Sequence, residues 1–143
     1  MLQYQALLEP AEKGGFVVTF PDFDWGITQG DTEAEAMEMA ADALGMVIED
    51  HIAKGQPLPA AGKRRGAKYR IVRLPALHAA KAELYSAFLE SGIRKMELAR
   101  RLGIPRANVD RLFNLRHHSR LDQIEAALKA IGKELELTVR DAA

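Results

Sequence analysis

The sequence predicts an α+β chain: a three- or four-stranded sheet with one helix, followed by an all-α bundle. Three observations carry this. Period-two apolar segments and turn signals surround a single long amphipathic helix in the first half. From Pro75 onward the apolar residues recur at helical spacing. Charge is divided too, at Gly62: through that residue there are two bases against eleven acids, a net −9, and the rest of the chain carries +9. We expect two units, residues 1–75 and residues 76–143, with different partners.

The length of 143 residues and the 48% hydrophobic content suit one ordinary domain or two small ones. The absence of cysteine excludes a disulfide frame, a thiolate nucleophile and a cysteine-based zinc site. No apolar run approaches the ~20 residues that span a bilayer. The first residues, MLQYQALLEP, lack the basic start of a signal peptide. A cytoplasmic location without a membrane partner is the expectation.

In order, LQYQALLE at 2–9 alternates and reads as a strand. Lys13-Gly14-Gly15 signals a turn, and FVVTF at 16–20 is a second strand, so the two form a hairpin. Pro21 and Asp22 end it. FDWGITQ at 23–29 reads as a third short strand kinked at Gly26 and stopped by Gly30. Thr32 and Glu35 fit a capping box, with Glu33 and Glu35 near the positive end of the helix dipole. The helix should run to about Ala53, burying Ala36, Met37, Ala40, Leu44, Val47, Ile48 and Ile52. QPLPAAGKRRGAK at 56–68 is the boundary by composition. Its basic cluster Lys63, Arg64, Arg65 and Lys68 reads as a solvated loop, with a phosphate-contacting arm as the alternative. YRIVRL at 69–74 reads as a fourth strand of the first unit.

Pro75 opens a helix with Leu77, Ala80, Leu84, Phe88 and Leu89 on one face. The stretch KMELARRLGIPRANVDRLFN at 95–114 then reads as two short helices joined by a tight turn. Leu98, Ala99 and Leu102 form the stripe of the first, and Gly103 suits its end. Ile104 points inward, Pro105 suits a helix start, and Val109, Leu112 and Phe113 form the second stripe. This is a helix-turn-helix pattern. The outward residues Arg106, Ala107, Asn108, Arg111 and Asn114 are the candidates for reading base edges. Arg and Asn hold guanine and adenine edges through paired hydrogen bonds. Arg94 and Lys95 suit a phosphate backbone, and Arg116 and His117 extend the basic face. A last helix uses Leu121, Ile124, Leu128 and Ile131. Leu135, Leu137 and Val139 then alternate with polar residues and read as a C-terminal strand. That strand lacks a partner in its own unit, so pairing with a second copy or closure on the first sheet is expected.

Catalytic constellations are thin. Asp22, Asp24 and Asp31 could gather as metal-binding carboxylates, but acids at strand ends and helix starts are more commonly turn and cap residues. No catalytic residue, metal or cofactor is expected. His51 reads as surface or core edge, and His118 adjoins His117. Phe23 and Trp25, flanked by Asp22 and Asp24, make a candidate anchor for a basic protein partner.

The stretch FVVTFPDFDWGITQGDTEAEAMEMAADAL at 16–44, followed by YRIVRLP, resembles the HicB antitoxins of bacterial HicAB toxin–antitoxin pairs. Residues 94–131 look like the helix-turn-helix at the C-terminus of many members. The resemblance implies a partial RNase-H-like first unit without nuclease activity. It implies that this unit binds a small mRNA-cleaving HicA-type toxin, which resembles a double-stranded-RNA-binding domain and uses a histidine. It also implies that the second unit binds operator DNA of its own operon as a homodimer or larger oligomer. The chain departs from repressor-like helix-turn-helix families at Phe113 and Leu115, where Glu and Gly are common. A ligand-sensing transcriptional regulator, or a metal-dependent nuclease built on the acidic unit, is the competing expectation.

Overall fold

A computed structural model describes residues 2–142. Four strands, β1 (Gln3–Pro10), β2 (Phe16–Thr19), β3 (Ile27–Gly30) and β4 (Tyr69–Arg73), form one sheet in the order β3-β2-β1-β4. Every neighbouring pair is antiparallel, with Leu8 opposite Val18 and Tyr4 opposite Val72. That register puts Tyr4, Ala6, Leu8, Val18 and Val72 on one face, where all are buried. Helix α1 (Glu33–Ala53) covers this face with Ala36, Ala40, Leu44, Val47 and Ile48. The expected α+β class, the four strands and the long helix are all present.

Local chemistry sets the element ends. Thr32 Oγ1 accepts from the Glu35 N–H at 3.1 Å, while the Glu35 carboxylate accepts from Asp31 N–H at 3.0 Å. The carboxylate thus reaches one residue beyond the cap. The third strand begins only at Ile27, later than its apolar run suggested, because Phe23 turns into the core and Gly26 bends the chain at φ +116°. Gly30 is the last residue of β3, where the strand was expected to stop. A Cβ there would lie 2.4 Å from the Ala36 amide nitrogen, so the start of α1 can approach β3 only over a bare backbone.

Residues 56–68 are no loose linker. The Leu8 N–H donates to Lys68 C=O, Gln5 exchanges two hydrogen bonds with the Arg64 backbone, and Tyr4 O–H donates to Pro59 C=O at 2.7 Å. The segment is a strap tied to β1.

Helix α2 (Ala76–Ser91) starts after Pro75 and ends at Gly92. Ala79 and Ala82 join the sheet–helix core, whereas Ala80, Leu84, Tyr85 and Phe88 join a second core. That second core is completed by α3 (Lys95–Leu102), α4 (Arg106–Phe113) and α5 (Leu121–Ala130).

The expected C-terminal strand is not formed: the described residues after Gly132 have no regular structure. Leu135 packs partly on the second core, but Leu137 and Val139 are 72% and 97% exposed. A strand needs a partner's N–H and C=O groups, and within one chain this segment finds none.

Gly30→Ala should destabilise the protein by about 2–3 kcal/mol, since the intruding methyl meets backbone that cannot rotate away. Urea unfolding would register this as a lower midpoint at unchanged slope.

Candidate nucleic-acid and protein interfaces

The α3–α4 pair is built as its residues demand. Gly103 adopts φ +65° at the end of α3, and the Ile104 N–H returns to Ala99 C=O at 3.1 Å. Leu98 and Ala99 face Val109, Leu112 and Phe113 in the buried cluster. The opposite faces are solvated and rich in arginine.

The structure sorts the candidate DNA-contacting residues into two groups. Arg94, at the start of α3, and Arg106, Ala107 and Arg111, on α4, are exposed. Among the described residues, Arg94, Arg106 and Arg111 pair with no carboxylate. Half-buried Asn108 accepts from the Arg111 guanidinium at 3.3 Å, which aims that side chain. The others have structural partners. Lys95 Nζ donates to Asp110 at 2.7 Å and clips the start of α3 to α4. Asn114 ends α4 and accepts from the Arg116 N–H through its side chain. Arg116 donates to Glu49 of α1 at 3.0 Å. His117 is exposed at the side chain, but its carbonyl is engaged. On the far side of α3, Arg100 and Arg101 both bind Glu97 and hold its carboxyl down at about 2.

One residue organises this face without having signalled itself. Lys81 of α2 is fully buried. Its ammonium donates to the carbonyls of Arg111, Asn114 and His117 at 2.9, 2.7 and 2.6 Å, and to Ser119 Oγ at 2.9 Å. It therefore caps the C-terminus of α4 and draws in the loop that follows. Burial pushes its pKa from the ordinary lysine value of 10.5 down to about 8. The available signal was a lysine at helical spacing within the apolar stripe of Leu77, Leu84 and Phe88. Leu115, next to this loop, is also buried, and it sits in the core of the sheet unit. The departure at this position from repressor-like chains thus anchors the loop to the sheet unit.

In the sheet unit, the four candidate partner-binding residues separate as well. Asp22 is turned inward: it accepts from Gly62 N–H at 3.1 Å and Arg64 Nη1 at 3.0 Å, with its side chain 7% exposed. Phe23 is a core residue, edge-on to Tyr4 and His51. Asp24 and Trp25 are at the surface, and they lead directly to exposed Ile27. Ile71 on β4 is exposed too. Neither isoleucine is signalled in the sequence, because apolar residues in strands are expected inside. Among the described residues, no three His, Cys, Asp or Glu side chains gather to hold a metal ion, and Asp22 is committed to Arg64. No helix of the described residues is long and apolar enough to cross a membrane.

A four-stranded antiparallel sheet backed by one helix and joined to a small arginine-faced helical bundle defines an α+β chain that is acidic through Gly62 and basic beyond it. Comparison with known proteins narrows this. The family described as "HicB_like antitoxin of bacterial toxin-antitoxin system" matches residues 3–83. Antitoxin HicB of Escherichia coli (strain K12) is 39% identical over 138 residues, covering 96% of this chain and 99% of that protein. Antitoxin HicB 1 of Photorhabdus laumondii is also 39% identical over 138 residues, covering 96% of this chain and 87% of the relative. A solved chain of a toxin–antitoxin complex from Streptococcus pneumoniae is 30% identical, with a TM-score of 0.40 over 43% of this chain and 45% of that one. The chain belongs to the HicB-like antitoxin family.

Replacing Lys81 with Met should destabilise the protein by about 2–4 kcal/mol, because three carbonyls and a hydroxyl lose a buried donor. The pH dependence has a definite sign. The folded pKa, about 8, lies below the unfolded 10.5, so between these values the unfolded chain binds more protons. The stability of wild type relative to Lys81→Met should therefore rise with pH across that window, by at most about 1.4 kcal/mol per unit. Paired denaturant titrations at pH 7, 9 and 10 measure it.

Proposed function

We propose that this chain is a non-enzymatic antitoxin and autorepressor made of two functional units, residues 1–75 and 76–143. In this reading the β1–β2–β3–α1–β4 unit is the partial RNase-H-like module, and it occupies a basic, HicA-type toxin. Trp25 and Ile27 supply the apolar anchors, and Asp24 belongs to the acidic surround. Asp22 and Phe23 act from beneath, holding the loop that displays them. The stretch through Gly62 carries a net −9, which the six bases of the strap and β4 reduce to −3 for the whole unit; its acidic surface speeds encounter with a cationic toxin and opposes RNA there.

The α3–α4 pair is then the helix-turn-helix, with α4 in the major groove of operator DNA. The observation that carries this is the set of unneutralised arginines. Among the described residues, Arg94, Arg106 and Arg111 are exposed without carboxylate partners, whereas Lys95, Arg100, Arg101 and Arg116 are all paired. Arg106 and Arg111 are the base-edge candidates, and Arg94 is the phosphate contact. Asn114 and Arg116 shape the loop instead of reading bases.

Arg106→Ala combined with Arg111→Ala should weaken binding to the duplex upstream of the operon by about 100-fold or more. Fluorescence anisotropy at fixed salt reads this. Co-purification with the protein of the adjoining reading frame should be unaffected. Trp25→Ala with Ile27→Ser should do the reverse. Loss of both activities in either variant, with folding intact, contradicts the division of labour. Cleavage of labelled RNA or DNA by the pure protein in Mg²⁺ or Mn²⁺ contradicts the non-enzymatic reading.

A further inference from the structure

Arg111, Asn114 and His117 are all exposed, and all three stood among the candidates for DNA contact. Their carbonyl oxygens converge on the opposite side, at the single Nζ of Lys81. The three recur every third residue. One ammonium thus gathers the last turn of α4 and the loop after it into an arc. The outer side of that arc belongs to the face proposed for DNA. Ser119 Oγ, itself buried, completes the inner shell at 2.9 Å.

This shell suits a charged lysine. An ammonium has three N–H donors and no lone pair, whereas a neutral amine has two donors and one lone pair. Ser119 can turn its hydroxyl to donate to that lone pair, but a carbonyl cannot. At least one of the three carbonyls then loses its bond to Lys81. The positive charge favoured at the C-terminal end of α4 is lost as well. Among the described residues no carboxylate pairs with Lys81. The titratable or charged side chains nearest to it along the elements around it are His78 and Tyr85, one turn to either side on α2, Arg111 on α4 and His117 in the loop. The Arg116–Glu49 pair joins the loop to α1, and the Arg120–Asp122 pair stands at the start of α5. Tyr85 donates to Gln56 C=O, and burial raises its pKa. Burial takes Lys81 the other way, to about 8, and with no cysteine in the chain no thiol titrates beside it.

We propose that Lys81 is a positioning residue for the DNA-reading helix, and that operator binding is coupled to its proton. With the ammonium in place, Arg111 and the loop at 114–117 are held in register for the duplex. When the proton leaves, the arc loosens and the duplex binds less well. Coupling is reciprocal, so phosphates along the outer side of the arc favour the charged lysine within. The bound state therefore takes up a proton wherever the free protein has partly lost it, and affinity falls as pH rises. The inference rests on the proposed placement of α4 in operator DNA.

The test is anisotropy with the duplex upstream of the operon, at fixed salt, from pH 7 to pH 9.5. The wild-type dissociation constant should rise about five- to tenfold across this range. Lys81→Met keeps an unbranched stem and removes the proton. It should bind more weakly at pH 7 and show no such rise, so that the two curves converge at high pH. Co-purification of Lys81→Met with the protein of the adjoining reading frame should match wild type, which separates lost positioning from a lost fold. Should the variant fail to fold, calorimetry on wild type decides. Operator binding measured in buffers of different ionisation heat should show net proton uptake that grows from pH 7.5 to pH 8.5. Uptake by a histidine would shrink over the same interval. A wild type that ignores the operator at every pH fails the DNA reading and this inference with it. Wild-type binding that is flat in pH, a parallel curve for Lys81→Met, or proton uptake that is absent or shrinks over that interval overturns the inference alone.

Discussion

The arrangement depends on one buried ammonium. Lys81 has three protons to give and meets four oxygens, all within 2.9 Å. Two of these acceptors, the carbonyls of Arg111 and Asn114, are at the C-terminal end of α4, where the helix dipole favours a cation. The others belong to the loop before α5. Burial of a charged lysine is unfavourable by itself, as its lowered pKa records. The enclosure persists because four oxygens surround the ammonium; each of the three carbonyls also accepts a backbone N–H, so Lys81 adds a second bond at every one. A neutral side chain of the same length could fill the space but not close three carbonyls at once.

This latch matters because of where α2 runs. The helix gives Ala79 and Ala82 to the sheet core and Leu84, Tyr85 and Phe88 to the helical core, and Lys81 lies between them. Two further ties cross nearby. Tyr85 O–H donates to Gln56 C=O at 2.7 Å, and Arg116 reaches Glu49. Leu115 leaves the end of α4 and enters the sheet core. The proposed toxin-binding and DNA-binding units therefore have separate cores but a common spine. The C-terminal end of α4 is fixed by the spine and by the sheet unit together.

The sequence made the periodic elements legible, because alternation and helical spacing report which face meets a core. All four strands, the long helix and the helical pair about Gly103 were read in that way. It was silent where the deciding fact was a contact between distant residues. Lys81 looks like an ordinary helical lysine until four acceptors from residues 111–119 converge on it. Asp22 and Phe23 looked like surface partners of Trp25, but Arg64 and Tyr4, far along the chain, claim them. The basic strap at 56–68 read as a linker by composition, and its bonds to β1 come from backbone groups that no composition reveals. The C-terminal alternation was read as a strand, and in the single chain it has no ladder to join.

The distribution of ion pairs separates what the fold needs from what it leaves free. Exposed pairs contribute little to stability, typically about 0–1 kcal/mol each. The pairs Lys95–Asp110 and Arg116–Glu49 are thus better understood as geometric clips that set the angle of α4 than as sources of stability. Every clip consumes a cation that could otherwise meet phosphate. The basic half holds eighteen bases against nine acids, so clipping leaves a surplus. On α3 and α4 that surplus lies at Arg94, the N-cap of α3, and at Arg106 and Arg111, exposed on α4. Exposed arginines without carboxylate partners among the described residues contribute little to folding. They are the cations of this face that remain available to an anionic partner, and the proposed DNA contact rests on them.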